Sequence, residues 1–562
     1  MNPGEKYRPY LSQFAVNLPQ RTWPNNQITK APLWCSVDLR DGNQALINPM
    51  NLQQKLEFFD LLVQIGFKEI EIGFPSASAV EYEFTRTLIT QKLIPDDVTP
   101  QVLTQSRDHL IEKTFESLKG ALRAIVHLYN PTSELQRRVV FGKGKDAIKQ
   151  IAVDGTRLIK RLAAETDTEI VFEYSPESFT GTELDYSVEV CQAVIDEWQP
   201  STSQKMIINL PATVEMATPN VYADQIEYFL RQIKGRESII LSLHPHNDRG
   251  TAVAAAELAL MAGGERVEGT LFGNGERTGN VDIVTLALNL YSQGIDPQLD
   301  LTDINRIIGI SEKCTAIAVG PRHPYAGELV FTAFSGSHQD AIRKGMLARG
   351  EEAGTFWEVP YLPIDPDDVG RKYEPIIRIN SQSGKGGVAY RMETDYGFAL
   401  PKAMHPEFSA VVQKISDSTG MEVTSKQIWE AFSKAYLELD RPYKFLRFHS
   451  MPLLEDGTEG ESDRVKAVLK IEVDGAAREL EGAGNGPIDA CKDALLRFGC
   501  KPFKLTDFVE HALSSGSDAE AAAYIQIESE DGRRVYGVGQ DPNTTKASIK
   551  GLLCAINRSL QR

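Results

Sequence analysis

The stretch SIILSLHPHNDRGTAVAAAELALMAGG, residues 238–264, decides the fold, because a short β-branched run is followed by a polar turn and a helix-forming segment ending in glycine. The same order of strand, turn and helix recurs from Leu33 to about Gly294. Eight strands that are each followed by a helix, over roughly 260–290 residues, have the size and rhythm of a TIM barrel. We therefore predict an α/β fold whose core is a (β/α)8 TIM barrel.

The predicted strands are short and rich in apolar or β-branched residues. They lie at 33–39, 68–74, 99–104, 122–128, 169–175, 205–211, 238–244 and 266–272. Between them, segments such as 51–66 have apolar residues at i, i+3, i+4 and i+7 and are predicted to be helices. A doubly wound open sheet is the alternative fold, and it usually has a glycine-rich phosphate turn after its first strand. Residues 38–44 contain no such turn, which favours the barrel.

The rest of the chain divides by composition into further domains. We predict an N-terminal extension at 1–30, the catalytic barrel at 31–325, a mostly helical linker subdomain at 326–440 and a C-terminal α+β domain at 441–562.

The C-terminal domain contains a near-repeat of 57 residues, since the Asp-Gly turns at 474–475 and 531–532 each follow an alternating strand and precede a helix. A glycine and an alanine recur at the same offset in both copies, Gly482 with Ala490 and Gly539 with Ala547. We interpret the domain as a duplicated ββα-type unit. An interface between two such units would suit a ligand, and mere structural duplication explains the repeat at least as well.

Composition excludes several classes of protein. The net charge is −17, and the hydrophobic and charged fractions of 42% and 24% are those of an ordinary globular protein rather than a disordered or fibrous one. So acidic a chain, without blocks of Lys or Arg, binds nucleic acid and anionic membranes poorly. No apolar run approaches the ~18–20 residues needed to span a bilayer, and residues 1–10 do not form a signal peptide. Six scattered cysteines without a C-x-x-C pair indicate a reduced, cytoplasmic protein.

Polar residues concentrate where the predicted strands end, which is where TIM barrels carry their catalytic groups. Arg40 and Asp41 follow the first strand and supply a cation and an oxygen ligand, although an ion pair that braces the barrel mouth would look the same. His244 and His246 end the seventh strand, and residues i and i+2 of a strand face the same way. Two histidines and a carboxylate are the ligand set of a catalytic divalent metal.

The other predicted strand ends carry further polar groups. These are His127, then Glu173, Ser175 and Glu177, then Asn209, Pro211 and Thr213, and finally the loop GNGERTGN at 273–280. Glu173 is either a site residue or a barrel-layer residue paired internally, whereas Glu177 is expected to face the cavity. His338 and Tyr361 lie far from the barrel in sequence, and their local sequence indicates ordinary surface residues.

Two motifs carry a resemblance to a known family. LRDGNQ at 39–44, followed by Lys55, and LSLHPHNDRGTAVA at 241–254 resemble the signatures of the acyl-CoA-dependent Claisen-condensing synthases of the DRE-TIM metallolyase superfamily. That group includes 2-isopropylmalate, homocitrate and citramalate synthases, and it shares its barrel with the lyases of hydroxymethylglutaryl-CoA.

Five segments, one of which extends the first motif, are similar to the long-form 2-isopropylmalate synthases. They are WCSVDLRDGNQALINPM (34–50), FSGSHQDAI (334–342), VPYLPIDP (359–366), INSQSGKGGVAY (379–390) and GAGNGPIDA (482–490). The resemblance runs from about residue 5 to the C-terminus.

The resemblance implies a role for each site residue. Asp41, His244, His246 and Asn280 would bind the metal, while Leu103, His127, Ser175, Asn209, Pro211 and Thr213 would bind the acceptor, with Thr213 at its carboxylate. Arg40 would polarise the keto oxygen of the acceptor, and Glu177 would reach the same centre. His338 and Tyr361 would act in proton transfer, reaching the barrel of the partner in a homodimer whose linker covers it.

The resemblance also implies the reaction, a condensation of acetyl-CoA with 2-oxoisovalerate to give 2-isopropylmalate. The metal would be Mg²⁺, with Mn²⁺, Zn²⁺ or Co²⁺ as alternatives and K⁺ as a candidate activator. Leucine would act as an allosteric inhibitor bound to the C-terminal domain, where glycines near 482–486 and 537–539 would let backbone groups approach it.

Three other functions fit parts of the pattern. A sibling enzyme, citramalate or homocitrate synthase, would use the same chemistry on another oxo acid, and the apolar Leu103 favours a branched acceptor only modestly. A metal-dependent hydrolase typically has its His-x-His pair on the first strand rather than the seventh. A catalytically silent leucine sensor would not need an intact set of metal ligands.

Overall fold

The computed structural model describes residues 6–349, 356–373, 385–419, 423–453, 464–513 and 519–561. The first six residues of the motif at 379–390, residues 379–384, lie outside this set. The chain forms two compact units. The first comprises residues 1–331 and 362–373, and the second comprises residues 332–361 and 374–562.

The core of the first unit is a closed barrel of eight parallel strands in the order β1 to β8. The strands are β1 (Leu33–Ser36), β2 (Glu69–Gly73), β3 (Thr99–Gln105), β4 (Arg123–Pro131), β5 (Glu169–Glu177), β6 (Met206–Ala212), β7 (Ile239–Pro245) and β8 (Arg266–Gly269). The predicted TIM barrel is therefore confirmed. The open-sheet alternative is wrong, because β1 pairs with both β2 and β8.

Two of the predicted strands end earlier than expected. The first ends at Ser36, since residues Asp38–Gly42 wind into a π-helical turn that buries Asp38 and Asp41. The last ends at Gly269, where a side chain would collide with Val281 because a Cβ would lie 2.6 Å from the Val281 carbonyl oxygen. Both strands therefore stop where the chain turns at the mouth of the barrel.

Helices follow the barrel strands. They are α1 (Leu52–Ile65), α2 (Ala79–Thr90), α3 (Asp108–Leu118), α4 (Lys145–Ala164), α5 (Leu184–Trp198), α6 (Pro219–Gln232), α7 (Ala252–Met261), α8 (Ile283–Tyr291) and α9 (Ile304–Thr315). Helix α1 shows why the predicted boundaries hold: Asn51 and Gln54 form a capping box, and Gly66 ends the helix at φ 108°. Within the described residues, no helix is long and apolar enough to cross a membrane.

The second unit begins with helices and ends with two antiparallel sheets. The helices are α10 (Gly336–Arg349), α11 (Lys385–Tyr396), α12 (His405–Thr419) and α13 (Ser425–Phe432). The first sheet and its helix are β9 (Tyr443–Pro452), β10 (Val465–Val473), β11 (Ala476–Gly484) and α14 (Pro487–Phe498). The second set is β12 (Phe503–Ala512), β13 (Ala521–Ser529), β14 (Arg534–Asp541) and α15 (Thr544–Ser559).

The predicted duplication is confirmed, and each copy is larger than the sequence pattern indicated. The sheets have the orders β11-β10-β9 and β12-β13-β14, so each ββα unit carries one extra strand before the predicted hairpin. The sequence pattern missed β9 and β12 because nearly all of their residues are half-buried or exposed, and a shift of register interrupts the alternation in each strand. The Asp474-Gly475 turn has positive φ at both residues, as a type I′ hairpin requires.

The matched glycines of the repeat allow each sheet to pack directly on its own helix. A Cβ on Gly482 would lie 2.3 Å from the Ala490 carbonyl oxygen, and a Cβ on Gly539 would lie 2.0 Å from that of Ala547. Glycine and alanine thus recur together because the strand backbone at the glycine lies directly against the helix backbone at the alanine in both copies. Gly486, in contrast, has open space beside its Cα.

We expect Gly539→Ala to destabilise the second unit, because the added methyl group would overlap helix backbone that no rotamer change can move. Overpacking of this kind costs about 1–3 kcal/mol. Differential scanning calorimetry of the full chain should show a lower transition temperature for this unit. Gly486→Ala is the matched control and should leave the transition unchanged. An unchanged transition in Gly539→Ala would contradict the packing role.

Candidate active site

A cavity of about 310 Å³ opens at the carboxyl ends of the barrel strands. Of the residues proposed from the sequence, it is lined by Arg40, Asp41, Leu103, His127, Ser175, Glu177, Asn209, Pro211, Thr213, His244 and His246. The fold thus gathers side chains from six strand ends around one space. The cavity wall also includes Phe74 and Tyr129, which were not proposed from the sequence.

Three buried groups in this cavity can hold a divalent cation. The ligand atoms of Asp41, His244 and His246 all lie within 4.8 Å of one another. Asp41 Oδ2 is 3.1 Å from His244 Nε2 and 3.6 Å from His246 Nε2. A carboxylate oxygen and two imidazole nitrogens that face one point form a ligand set for a catalytic metal.

Asn280 adds a fourth polar group beside His246. The two residues pair as an isolated antiparallel bridge. The amide nitrogen of Asn280 donates to the Asn274 carbonyl at 3.1 Å, while its Oδ1 is buried without a partner among the described residues. An orphaned buried oxygen at this position fits a further ligand to a cation.

The charges around the three groups favour cation binding. Burial opposes ionisation of Asp41, but the adjacent Arg40 guanidinium holds the pKa of this carboxyl well below its usual range. Burial lowers the pKa of His246 to about 4, so this ring is neutral at pH 7. Burial would also lower the pKa of His244, but hydrogen bonds to Asp41 and Glu268 raise it to about 9. Asp41 and His244 therefore share a proton that a metal ion would replace.

A closed ring of seven hydrogen bonds and one ion pair, here called the polar ring, links Asp41 and His244 to the rest of the cavity. Its contacts are Asp41 Oδ2 to His244 Nε2 (3.1 Å), His244 Nδ1 to Glu268 Oε2 (2.7 Å), Glu268 Oε2 to Asn209 Nδ2 (3.1 Å), Asn209 Nδ2 to Ser175 Oγ (3.0 Å), Ser175 Oγ to His127 Nε2 (2.7 Å), His127 Nδ1 to Glu71 Oε1 (3.0 Å), Glu71 Oε2 to Arg40 Nε (2.6 Å) and Arg40 Nη1 to Asp41 Oδ1 (3.1 Å). Six of these eight residues were proposed from the sequence.

The partners in the polar ring fix the orientation of each side chain. The carboxylate of Glu71 can only accept, so His127 carries its proton on Nδ1 and its Nε2 accepts from the Ser175 hydroxyl. Asn209 then uses both hydrogens of its amide, one to Ser175 and one to Glu268. The ring is therefore consistent in donor and acceptor at every one of these contacts.

Sequence reasoning missed the interior members of the network. Glu71 and Glu268 belong to the polar ring, while Gln101 and Arg266 contact it from inside the barrel. All four are completely buried. Their only signal is a charged or amide residue inside an otherwise apolar strand, as in KEIEIGF at 68–74. Glu173 is likewise fully buried and is not among the residues that line the cavity, which favours the barrel-layer interpretation of this residue.

Lys55, the outlying member of the first sequence motif, positions the chain beside Arg40. Its fully buried ammonium group donates to the Leu39 carbonyl at 3.0 Å and pairs with Glu81. Glu81 in turn accepts from the backbone N–H of Phe74 at 3.2 Å. One buried ion pair thus holds the chain segments that follow β1 and β2.

His338 and Tyr361 lie in the second unit, where their rings stack with centroids 4.1 Å apart. His338 is exposed, and the side chain of Tyr361 is 62% exposed. The structure therefore brings these two predicted residues together with each other within the second unit.

The fold and the site together define a class of protein, a TIM barrel with an Asp/His/His metal site. In agreement, the family model HMGL-like matches residues 31–310. The model of the alpha-isopropylmalate synthase post-catalytic domain matches residues 328–393, and that of the LeuA allosteric (dimerisation) domain matches residues 422–560.

Similar proteins match along the whole chain. The 2-isopropylmalate synthase of Clostridium acetobutylicum is 57% identical over 98% of this chain and 99% of its own length. That of Rhodospirillum rubrum is 55% identical over 99% of both chains. That of a Parafrankia species is also 55% identical, over 99% of this chain and 98% of its own. The chain belongs to the 2-isopropylmalate synthase family.

We expect Lys55→Met to destabilise the barrel unit by about 3 kcal/mol, because removal of one partner leaves the other charge of a buried pair uncompensated. Urea denaturation of the full chain measures this change. Lys68→Met is the matched control, since Lys68 pairs with Asp97 on the surface, where both side chains are more than half exposed. Equal midpoints for the two variants would contradict the positioning role of Lys55.

Proposed function

We propose that the chain is an acyltransferase that condenses acetyl-CoA with 2-oxoisovalerate and water to give 2-isopropylmalate and CoA. The observation that carries the proposal is the convergence of Asp41, His244 and His246 beside Arg40 in one cavity. Family membership over the whole chain supports the choice of reaction. The product would be the first intermediate committed to leucine, and we place the enzyme in the cytoplasm.

The acceptor would bind between the metal ligands and the polar ring. Asp41, His244, His246 and Asn280 would hold a divalent ion, with Mg²⁺ preferred and Mn²⁺, Zn²⁺ or Co²⁺ as alternatives. When bound, this ion supplies a Lewis acid for the oxygens of a 2-oxo acid. K⁺ is a candidate activator.

Arg40 and Thr213 would orient the acceptor by binding its keto oxygen and its carboxylate, respectively. Arg40 is fixed by Asp41 and Glu71, so its guanidinium can donate to the keto oxygen and stabilise the negative charge that develops there. The Thr213 hydroxyl accepts from the Ser178 N–H and can donate its own proton to the acceptor carboxylate. Leu103 and Pro211 provide an apolar wall for the isopropyl group.

The condensation also needs proton transfer. A methyl proton of the acetyl thioester must leave as the new carbon–carbon bond forms, and the oxygen that was the ketone must gain a proton. Burial raises the pKa of Glu177 above its ordinary value, which brings this carboxyl closer to neutral pH. We assign the remaining proton transfer to His338 and Tyr361, supplied by the linker of the partner in a homodimer. Water then cleaves the thioester carbon–sulfur bond, and CoA leaves as the thiol.

We further propose that leucine inhibits the enzyme by binding to the second unit. The match of residues 422–560 to the LeuA allosteric (dimerisation) domain supports both this role and the homodimer. Gly482 and Gly539 lie against the backbone of a helix and have no room for a ligand. Among the glycines expected to approach leucine, Gly486 is the one with free space beside its Cα. It is also the N-cap of α14, a position that attracts a carboxylate.

We expect purified protein with acetyl-CoA and Mg²⁺ or Mn²⁺ to release CoA fastest with 2-oxoisovalerate. The comparison set is pyruvate, 2-oxobutyrate and 2-oxoglutarate, and the released thiol is measured with a thiol reagent. Leucine should suppress the rate, and a chelator should abolish it until metal is restored.

Each contrary result has a distinct meaning. Faster release with another oxo acid would keep the mechanism and assign a sibling activity. No release with any acceptor would overturn the synthase proposal and leave a leucine sensor. Activity that survives exhaustive chelation would overturn the metal assignment.

We expect His338→Ala to lower kcat about 10²- to 10⁴-fold, the usual contribution of a positioned proton-transfer group. Binding of 2-oxoisovalerate and of Mn²⁺ should be unchanged, as measured by calorimetric titration. Arg343→Ala is the matched control, because Arg343 lies in the same helix and pairs with Asp340 at the surface. Near-normal turnover in His338→Ala would refute the assignment.

A further inference from the structure

Glu268 is the most heavily bonded carboxylate of the barrel interior. Its Oε1 accepts from Gln101 Nε2 at 2.8 Å and from Arg266 Nη1 at 2.9 Å. Its Oε2 accepts from Asn209 Nδ2 at 3.1 Å and from His244 Nδ1 at 2.7 Å. Four donors therefore converge on one completely buried side chain.

We propose that Glu268 is a positioning residue, which fixes both the ring orientation and the tautomer of His244 and so creates the metal site. The inference rests on the proposed metal-dependent function. Because the carboxylate accepts from Nδ1, the proton of neutral His244 stays on that nitrogen and the Nε2 lone pair points to Asp41. Through Asn209 the same carboxylate also fixes one wall of the acceptor pocket.

Glu268 does not form a second metal site with its neighbours. Glu268, His127 and Glu173 cluster closely enough to suggest one. However, all four acceptor positions of Glu268 are taken by donors, and the Arg266 guanidinium lies 2.9 Å from Glu268 and 3.5 Å from Glu173. An added cation would have to displace a fixed positive charge, so we expect no second cation among these three residues, and of the three only Glu268 contacts a proposed metal ligand within the described part of the chain.

Glu268→Gln separates positioning from packing, because the amide has the shape of the carboxylate but only one acceptor oxygen. Arg266 is always charged and requires that oxygen, so the NH₂ group must face His244 and Asn209. His244 Nδ1 then has to accept, its proton moves to Nε2, and the lone pair needed by the metal is lost.

Glu173 offers a matched control at the same depth of the barrel. It is completely buried, and neither of its oxygens has a hydrogen-bond partner among the described residues. Burial raises its pKa well above the ordinary value of a glutamate, and a glutamine has the same shape.

The test is Mn²⁺ binding to chelator-treated, full-length protein, with free Mn²⁺ measured by electron paramagnetic resonance. We expect Glu268→Gln to weaken Mn²⁺ binding about 10- to 100-fold and Glu173→Gln to change it less than about twofold. Circular dichroism checks the fold of both variants. If Glu268→Gln does not fold, Glu268→Asp replaces it, since the shorter side chain keeps the charge for Arg266 but withdraws from His244.

The outcomes are distinguishable. Unchanged Mn²⁺ affinity in a folded Glu268 variant, or equal weakening by Glu173→Gln, would overturn the positioning role and leave the proposed function standing. Absence of Mn²⁺ binding by the unsubstituted protein would overturn the metal site and the positioning role together. Selective weakening in the Glu268 variant supports both.

Discussion

The site depends on the burial of several carboxylates inside one barrel. Asp41, Glu71 and Glu268 are each less than 5% exposed, and a carboxylate without a partner costs several kcal/mol at such depth. Arg40 pairs with the first two, and Arg266 pairs with the third. Each anion lies against a cation that offsets the cost of its burial, and the polar ring joins these pairs to one another.

The same arrangement explains why the metal ligands are pre-formed. Asp41 Oδ2 and His244 Nε2 face each other at 3.1 Å and share one proton, whose place a cation would take. The surrounding hydrogen bonds prevent either group from turning away. A divalent ion that replaces this proton would therefore require little reorganisation of the two side chains.

The sequence predicted most of the fold and the outer part of the site. Alternating strands and helices carry local signals of periodicity and capping, and the rule that strand ends hold the chemistry located Asp41, His244 and His246. Glu71 and Glu268 were not predicted, because the local sequence does not distinguish a buried charged residue of a strand from one that faces solvent. The stacked pair of His338 and Tyr361 had no local signal at all, and only the family resemblance singled these residues out.

The residues of the polar ring differ from the apolar residues of the cavity wall in the property that a substitution would change. Leu103, Phe74 and Pro211 line the cavity without contributing a side chain to the ring. A change in their size would alter the space for the acceptor side chain and leave the charge network intact, and one methylene changes discrimination by only ~1–3 kcal/mol. Substitutions in the ring, in contrast, would disturb the proposed metal ligands and the proposed acceptor pocket together, because His244 and Asn209 share one carboxylate. Sibling enzymes with other oxo-acid acceptors could thus arise on this barrel through its apolar wall, whereas the interior charges must change together or remain as they are.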